Sequence, residues 1–291
     1  MALIAVAGSE AGAGATTVAV GLAHRLAYAG RSVRLARLAG DAGAAADARA
    51  FAALEFATAS GQPVAAASLG AGGGDSDTTD TTDTTDTIVE LPAGTDAPAL
   101  ARQLGATLVT VSRTAAGAGG AIAILNHAAR GGALAIPEDR VLAAPTVGAL
   151  IAASRARVLA RSAAGDGELC EHIVIGPISE DADTPHFRRF PRKAVVTRAE
   201  KVDIALAALL TDTRCLILTG GADPSPYLLD RVASDRTTTL LLAPGGTVET
   251  VHDIEGSFGR LPFAGEEKAE RIGALMAAAL DDAALGRLLG A

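Results

Sequence analysis

The chain has 291 residues, 49% of them apolar, with a net charge of −8, only 3% aromatic residues and no Trp. That length allows two ordinary domains and a large core, which has to be built from Ala, Val, Leu and Ile. The acidic balance argues against a nucleic-acid or anionic-membrane surface. No apolar run reaches the ~18 residues of a membrane span, and "MALIAVAGSE" lacks the basic start and cleavage region of a secretory leader, so a cytoplasmic location is expected.

In chain order, residues 2–7 read as a strand buried on both faces, residues 15–29 as a helix closed by Gly30, and 31–39 as the next strand. Residues 44–59 have a helical pattern. "GAGGGDSDTTDTTDTTDT" (70–87) is polar and acidic with a Thr-Thr-Asp repeat; it cannot bury apolar surface and reads as a solvated loop. Its carboxylates lack the Gly and terminal Glu of a calcium loop, which disfavours a calcium site. Strands follow at "TIVELPAG" (87–94), "ATLVTVSR", "GAIAILNHA" (120–128) and "ALAIPED" (133–139), with a helix at "APALARQLG". Apolar strands alternating with helices predict a parallel sheet covered on both faces, with ligands at the carboxyl ends of the strands. The second half repeats the alternation in shorter form and ends in a helix, "EEKAERIGALMAAALDD".

The chemistry concentrates in "GSEAGAGATT", residues 8–17. A strand, a Gly-rich turn and a helix N-terminus form an anion site, because the first helical amides lack internal partners and the dipole is positive there. Gly8, Gly12 and Gly14 permit close backbone approach, and Thr16 stands where a phosphate loop places a magnesium-ligating hydroxyl. The strict pattern is not met: Ser9 holds the first Gly position and Ala15 replaces the lysine. Loss of that charged donor costs roughly 2–4 kcal/mol of transition-state stabilisation, by analogy with lost oxyanion donors. Ground-state binding loses less. The loop alone leaves open a working site, a weakened one and a tight turn without a ligand.

Other constellations are bland. Cys170 and Cys215 stand far apart and read as buried free thiols. Five scattered His residues form no zinc pattern, and no G-x-S-x-G elbow is present. "HFRRFPRK" (186–193) reads as a solvated basic linker.

Set side by side, these segments resemble a known arrangement. Residues 1–150 resemble the dethiobiotin-synthetase-like P-loop domain. Residues 168–291 resemble a DRTGG domain with a C-terminal helix, and 151–167 read as a linker. The pair is similar to the non-catalytic N-terminal half of long phosphate acetyltransferases and to stand-alone archaeal relatives. The resemblance is carried by "IPEDRVLAAPTVGAL", "HIVIGPIS", "KVDIALAALL", "CLILTGGADPSPYLL" and "TVETVHDIEGSFGRLPF". It implies an α/β fold: a parallel-sheet P-loop NTPase-like domain followed by a smaller α/β DRTGG domain.

The resemblance also implies roles. Gly8, Ser9, Gly12, Gly14, Thr16 and Thr17 would hold the phosphates of ATP or another nucleotide. Thr16, Asp47 and Glu90 would hold magnesium, and Asn126 would read adenine. Thr219, Gly220 and Gly221, with Asp203, form a second candidate ligand site, for which a close-packed turn is the competing reading. The acetyl-transferring domain of the long enzymes does not follow within these residues. The expected function is a nucleotide-binding regulatory or accessory protein with little or no ATP hydrolysis, homo-oligomeric and partnered with an enzyme of acetyl-CoA metabolism. Two alternatives stay open: an ATP-dependent ligase of the synthetase type, which Ala15 counts against, and an interaction scaffold with a vestigial loop, which the intact Gly8/Gly12/Gly14/Thr16 set counts against.

Overall fold

The computed structural model describes residues 1–69, 85–114, 122–176, 186–259 and 261–290. It divides into two compact units, Met1–Asp139 together with Pro262–Ala291, and Arg140–Leu261.

The first unit contains β1 (Leu3–Gly8), α1 (Ala15–Tyr28), β2 (Val33–Arg37), α2 (Ala44–Ala52), β3 (Asp86–Glu90), α3 (Ala97–Leu104), β4 (Thr107–Ser112), β5 (Ile122–Ala128) and β6 (Ala135–Pro137). The six strands form one parallel sheet in the order β2-β3-β1-β4-β5-β6. The parallel α/β expectation holds. β1 is central, and its continuous apolar run follows from burial on both faces. Ala5 and Ala7 pack with Ala101 and Leu104 of α3, while Ile4 and Val6, on the opposite face, are equally buried. The strand order reverses around β1, so its carboxyl end opens at the topological switch point where open α/β sheets bind ligands.

The second unit contains α4 (Arg140–Ala143), α5 (Val147–Ser154), β7 (Arg157–Ala160), β8 (His172–Ile175), β9 (Lys193–Arg198), α6 (Val202–Leu209), β10 (Thr213–Thr219), α7 (Pro226–Asp235), β11 (Thr239–Leu242) and α8 (Thr247–Glu255). Its sheet runs β7-β11-β10-β9-β8, with β7 antiparallel to β11 and the rest parallel. The residues read as a linker, 151–167, therefore hold the end of α5 and a sheet strand. Short apolar segments such as "RVLA" declare themselves only through the ladder they join.

The C-terminal helices α9 (Glu266–Ala279) and α10 (Asp282–Leu289) belong to the first unit, not to the second as the sequence suggested. The reason is steric. A Cβ on Gly21 of α1 would lie 2.8 Å from Ile272 Cγ1, and one on Gly273 of α9 would lie 2.1 Å from His24 Nδ1. Two glycines thus let α1 and α9 approach closely. His24 is buried there and stacks on Tyr28 with ring centroids 4.2 Å apart.

Three further expectations change. The helix read at 44–59 ends at Ala52. Asp86, at the end of the Asp/Thr repeat, is fully buried at the start of β3, where it accepts a hydrogen bond from Ala2 N at 2.8 Å and pairs with Arg31; residues 75–84 of the repeat lie outside the described residues. Phe187, in the run read as a solvated linker, packs into the second core beside Val195 and Ile204. Cys170 and Cys215 are free and buried as expected, and burial pushes the Cys170 thiol up to about 12, so it is not a nucleophile at neutral pH.

Lys193 is also fully buried, its Nζ donating to Asp212 O at 3.0 Å. Burial lowers its pKa to about 8, against the pull of Asp212. Because the folded value lies below the ordinary one, this lysine holds stability down below pH 8 and releases it as pH rises toward 10.5. Lys193→Met should therefore stabilise the chain below pH 8 by on the order of 2–3 kcal/mol, with the gain vanishing near pH 10.5, as read by urea unfolding across that range. Gly273→Ala should destabilise it by about 1–3 kcal/mol through overpacking against His24, as read by thermal unfolding.

Candidate functional site at the head of the first helix

The loop between β1 and α1 is held by few backbone bonds of its own. Ser9 N bonds Val111 O at 2.9 Å and Ala13 N bonds Glu10 O at 3.2 Å. The first bond of the helix is Val18 N to Gly14 O at 3.0 Å, and no side chain caps the N-terminus. Among the described residues the amides of Ala15, Thr16 and Thr17 have no acceptor, which is the condition for an anion site. Gly12 and Gly14 have φ of 73° and 89°, in the left-handed region that glycine adopts without strain. At Gly14 the constraint is double, because a Cβ would lie 2.2 Å from Asn126 Nδ2.

Thr16 and Glu90, 74 residues apart, meet here: Thr16 Oγ1 donates to Glu90 Oε1 at 2.8 Å. Glu90 ends β3 beside β1 and is buried. Its second oxygen, Oε2, is buried without a hydrogen bond, and Arg37 Nε stands 3.6 Å away. Burial pushes the Glu90 carboxyl up to about 8, opposed by Arg37 and by the Thr16 hydroxyl.

Arg37, which the sequence reading did not single out, organises the neighbouring charge. It ends β2, is buried, and donates to Asp41 at 2.5 Å, to Asp47 at 3.1 Å and to Leu38 O at 2.8 Å. Burial opposes its charge, but Glu90, Asp41 and Asp47 outweigh that and raise its pKa. Asp41 also accepts from the amides of Gly43 and Ala93, at 3.0 Å each. The available signal was the one that marked Glu90, a charged residue closing an apolar strand at its carboxyl end.

The metal set suggested by the sequence is brought together in part. Thr16 and Glu90 touch directly, whereas Asp47 is held by Arg37. Among the described residues no group of three or more His, Cys, Asp and Glu is placed to hold a metal. Magnesium needs no such cage; one or two protein ligands and the phosphates it accompanies suffice. The orphaned Oε2 of Glu90 beside the Thr16 hydroxyl fits that requirement.

Asn126, on β5, donates from Nδ2 to Ala13 O at 2.8 Å and is buried. In this structure it braces the loop. Ser9 Oγ donates to Glu10 Oε2, and Glu10 Oε1 accepts from Arg113 N at 2.8 Å, so the exposed rim of the loop is tied to the end of β4.

In the second unit, Thr219 is fully buried at the end of β10, its hydroxyl 2.7 Å from that of Thr247 and 3.2 Å from Thr197 O. Gly220 and Gly221 follow with φ of 89° and 73°, and Gly220 N bonds Gly245 O at 3.2 Å. These bonds join the two Gly-Gly turns to each other. Asp203 is exposed in the first turn of α6, and no hydrogen bond links it to Thr219 or Thr247.

The chain is an α/β protein with an uncapped glycine loop at the switch point of a parallel sheet. In its second half the sequence profile of the DRTGG domain matches residues 149–257, so the second unit contains a DRTGG domain. Among solved structures the chain is similar to the CBS and DRTGG domains of the regulatory region of Clostridium perfringens pyrophosphatase, determined with the activator diadenosine tetraphosphate. The identity is 14% and the TM-score 0.33, and the match covers 42% of this chain and 52% of that one, about half of its length. No helix among the described residues is long and apolar enough to cross a membrane.

The raised Glu90 value makes a signed prediction. Between about pH 4.5 and 8 the folded chain keeps a proton that the unfolded chain gives up, so this group's contribution to stability is lost as pH rises. Glu90→Gln should remove that slope: its stability relative to the natural chain, measured by urea unfolding, should grow from pH 5 to pH 8 and level off above.

Proposed function

We propose that the first unit binds a nucleoside polyphosphate at the head of α1 and that the chain acts as a nucleotide-responsive regulatory or accessory module with little or no hydrolysis. The observation that carries this reading is the Thr16–Glu90 contact of 2.8 Å beneath unpartnered helix amides. A purely structural turn has no need of a buried carboxyl group set against it. Phosphate oxygens would take the amides of Ala15, Thr16 and Thr17. Magnesium, if bound, would sit on Thr16 and Glu90 and neutralise phosphate charge.

Ala15 limits the chemistry. Without the loop lysine the charge that develops in phosphoryl transfer has one fewer cationic partner, while ground-state binding by amides persists. That imbalance favours sensing over turnover. The DRTGG domain at 149–257, and the resemblance to the non-catalytic half of long phosphate acetyltransferases, support a regulatory role alongside an enzyme of acetyl-CoA metabolism. On this reading the chain is a cytoplasmic homo-oligomer.

Calorimetric titration with ATP, with and without magnesium, should show saturable binding, and phosphate release should stay well below the ~1 per second at which ordinary enzymes begin. Gly14→Asp should abolish binding, Thr16→Val should weaken it about tenfold in magnesium, and Ala15→Lys should strengthen it. Turnover near one per second would favour the ligase reading. Absence of binding, or binding unchanged by Gly14→Asp, would favour a scaffold.

A further inference from the structure

The loop has lost its own lysine, yet a cation stands beside it. Arg113 follows the last residue of β4, and β4 pairs with β1 through Gly8↔Val111, so the end of β4 lies against the start of the loop. The Arg113 amide is pinned to Glu10 Oε1 at 2.8 Å. Its guanidinium reaches back over the turn: a Cβ placed on Gly12 would lie 3.9 Å from Arg113 Nη2. The residue is exposed, and its guanidinium forms no ion pair among the described residues.

Two neighbours register its charge. His127, at the end of β5, is held below its ordinary value first by burial and then by Arg113, with Glu138 opposing. The Glu10 carboxyl is lowered by the Ser9 hydroxyl, by the Arg113 amide and by the Arg113 charge. Arg113 thus sits between the ends of β4 and β5 and the glycine turn, on the same edge of the sheet as the unpartnered amides of α1 and the orphaned Oε2 of Glu90.

We propose that Arg113 supplies the cationic contact to the bound polyphosphate that Ala15 cannot, from the end of the adjacent strand instead of from the first turn of the helix. The inference rests on the reading that a polyphosphate binds at this loop. A guanidinium offers a planar fork of donors suited to phosphate oxygens and needs no proton exchange to stay charged. At Gly12 the missing side chain leaves the approach clear. Glu10, which would repel a phosphate, is turned onto the Ser9 hydroxyl and the Arg113 amide, contacts that hold its charge in place on the rim of the loop.

The test is a titration of the full chain with ATP, and separately with inorganic triphosphate, at low and moderate salt. Arg113→Ala should weaken both ligands about tenfold or more, and Arg113→Lys should recover part of the loss. Arg130→Ala, which removes an exposed charge from the same unit, should leave affinity nearly unchanged. Thermal unfolding checks that each variant is folded. If the natural chain binds ATP, loses it on Gly14→Asp, and keeps it on Arg113→Ala, the role of Arg113 is overturned while the loop reading stands. An equal loss in Arg113→Ala and Arg130→Ala would also overturn it, since only net charge would then matter. If the natural chain binds neither ligand, the loop reading itself fails and this inference with it.

Discussion

The first unit is organised around a few backbone amides that the fold leaves without acceptors. A helix N-terminus placed at the end of the central strand of a parallel sheet exposes partial positive charge at the one place where flanking strand ends converge. The turn before that end is fixed by a few contacts. Gly12 and Gly14 take the left-handed turn, Asn126 braces the Ala13 carbonyl, and Ser9 is tied to β4. The sheet supplies the rigidity, with β1 buried on both faces and paired on both edges.

Charge is distributed unevenly around that point. On the β2–β3 side, Arg37 is enclosed by Asp41, Asp47 and Glu90, and burial forces the cluster to satisfy itself. On the β4–β5 side, Arg113 is exposed and its guanidinium forms no ion pair among the described residues. A buried pair positions; an accessible charge attracts.

The second unit follows the same logic of strand ends without the same openness. Its Gly-Gly turns are bonded to each other and the Thr219 hydroxyl is held by two partners, so the turn chemistry is largely consumed internally. Its cysteines lie deep in apolar surroundings, where burial suppresses the thiolate. What marks this unit is the match of residues 149–257 to the DRTGG domain.

Much was legible in residue order. Alternating apolar strands and helices determined a parallel α/β architecture, and the run of glycines before Thr16 determined the left-handed turn that leads into α1, because both depend on local periodicity and on backbone freedom. Glu90 was visible as an acid closing a buried strand. Tertiary structure alone decided that Arg37 pairs with Asp47, that Asn126 fills the space beside Gly14, and that Arg113 leans over Gly12. It alone decided that the last two helices return to the first unit, where Gly21 and Gly273 admit them. These outcomes depend on which residues distant in sequence are brought within a few ångströms by strand order, and no local pattern of side chains encodes that distance.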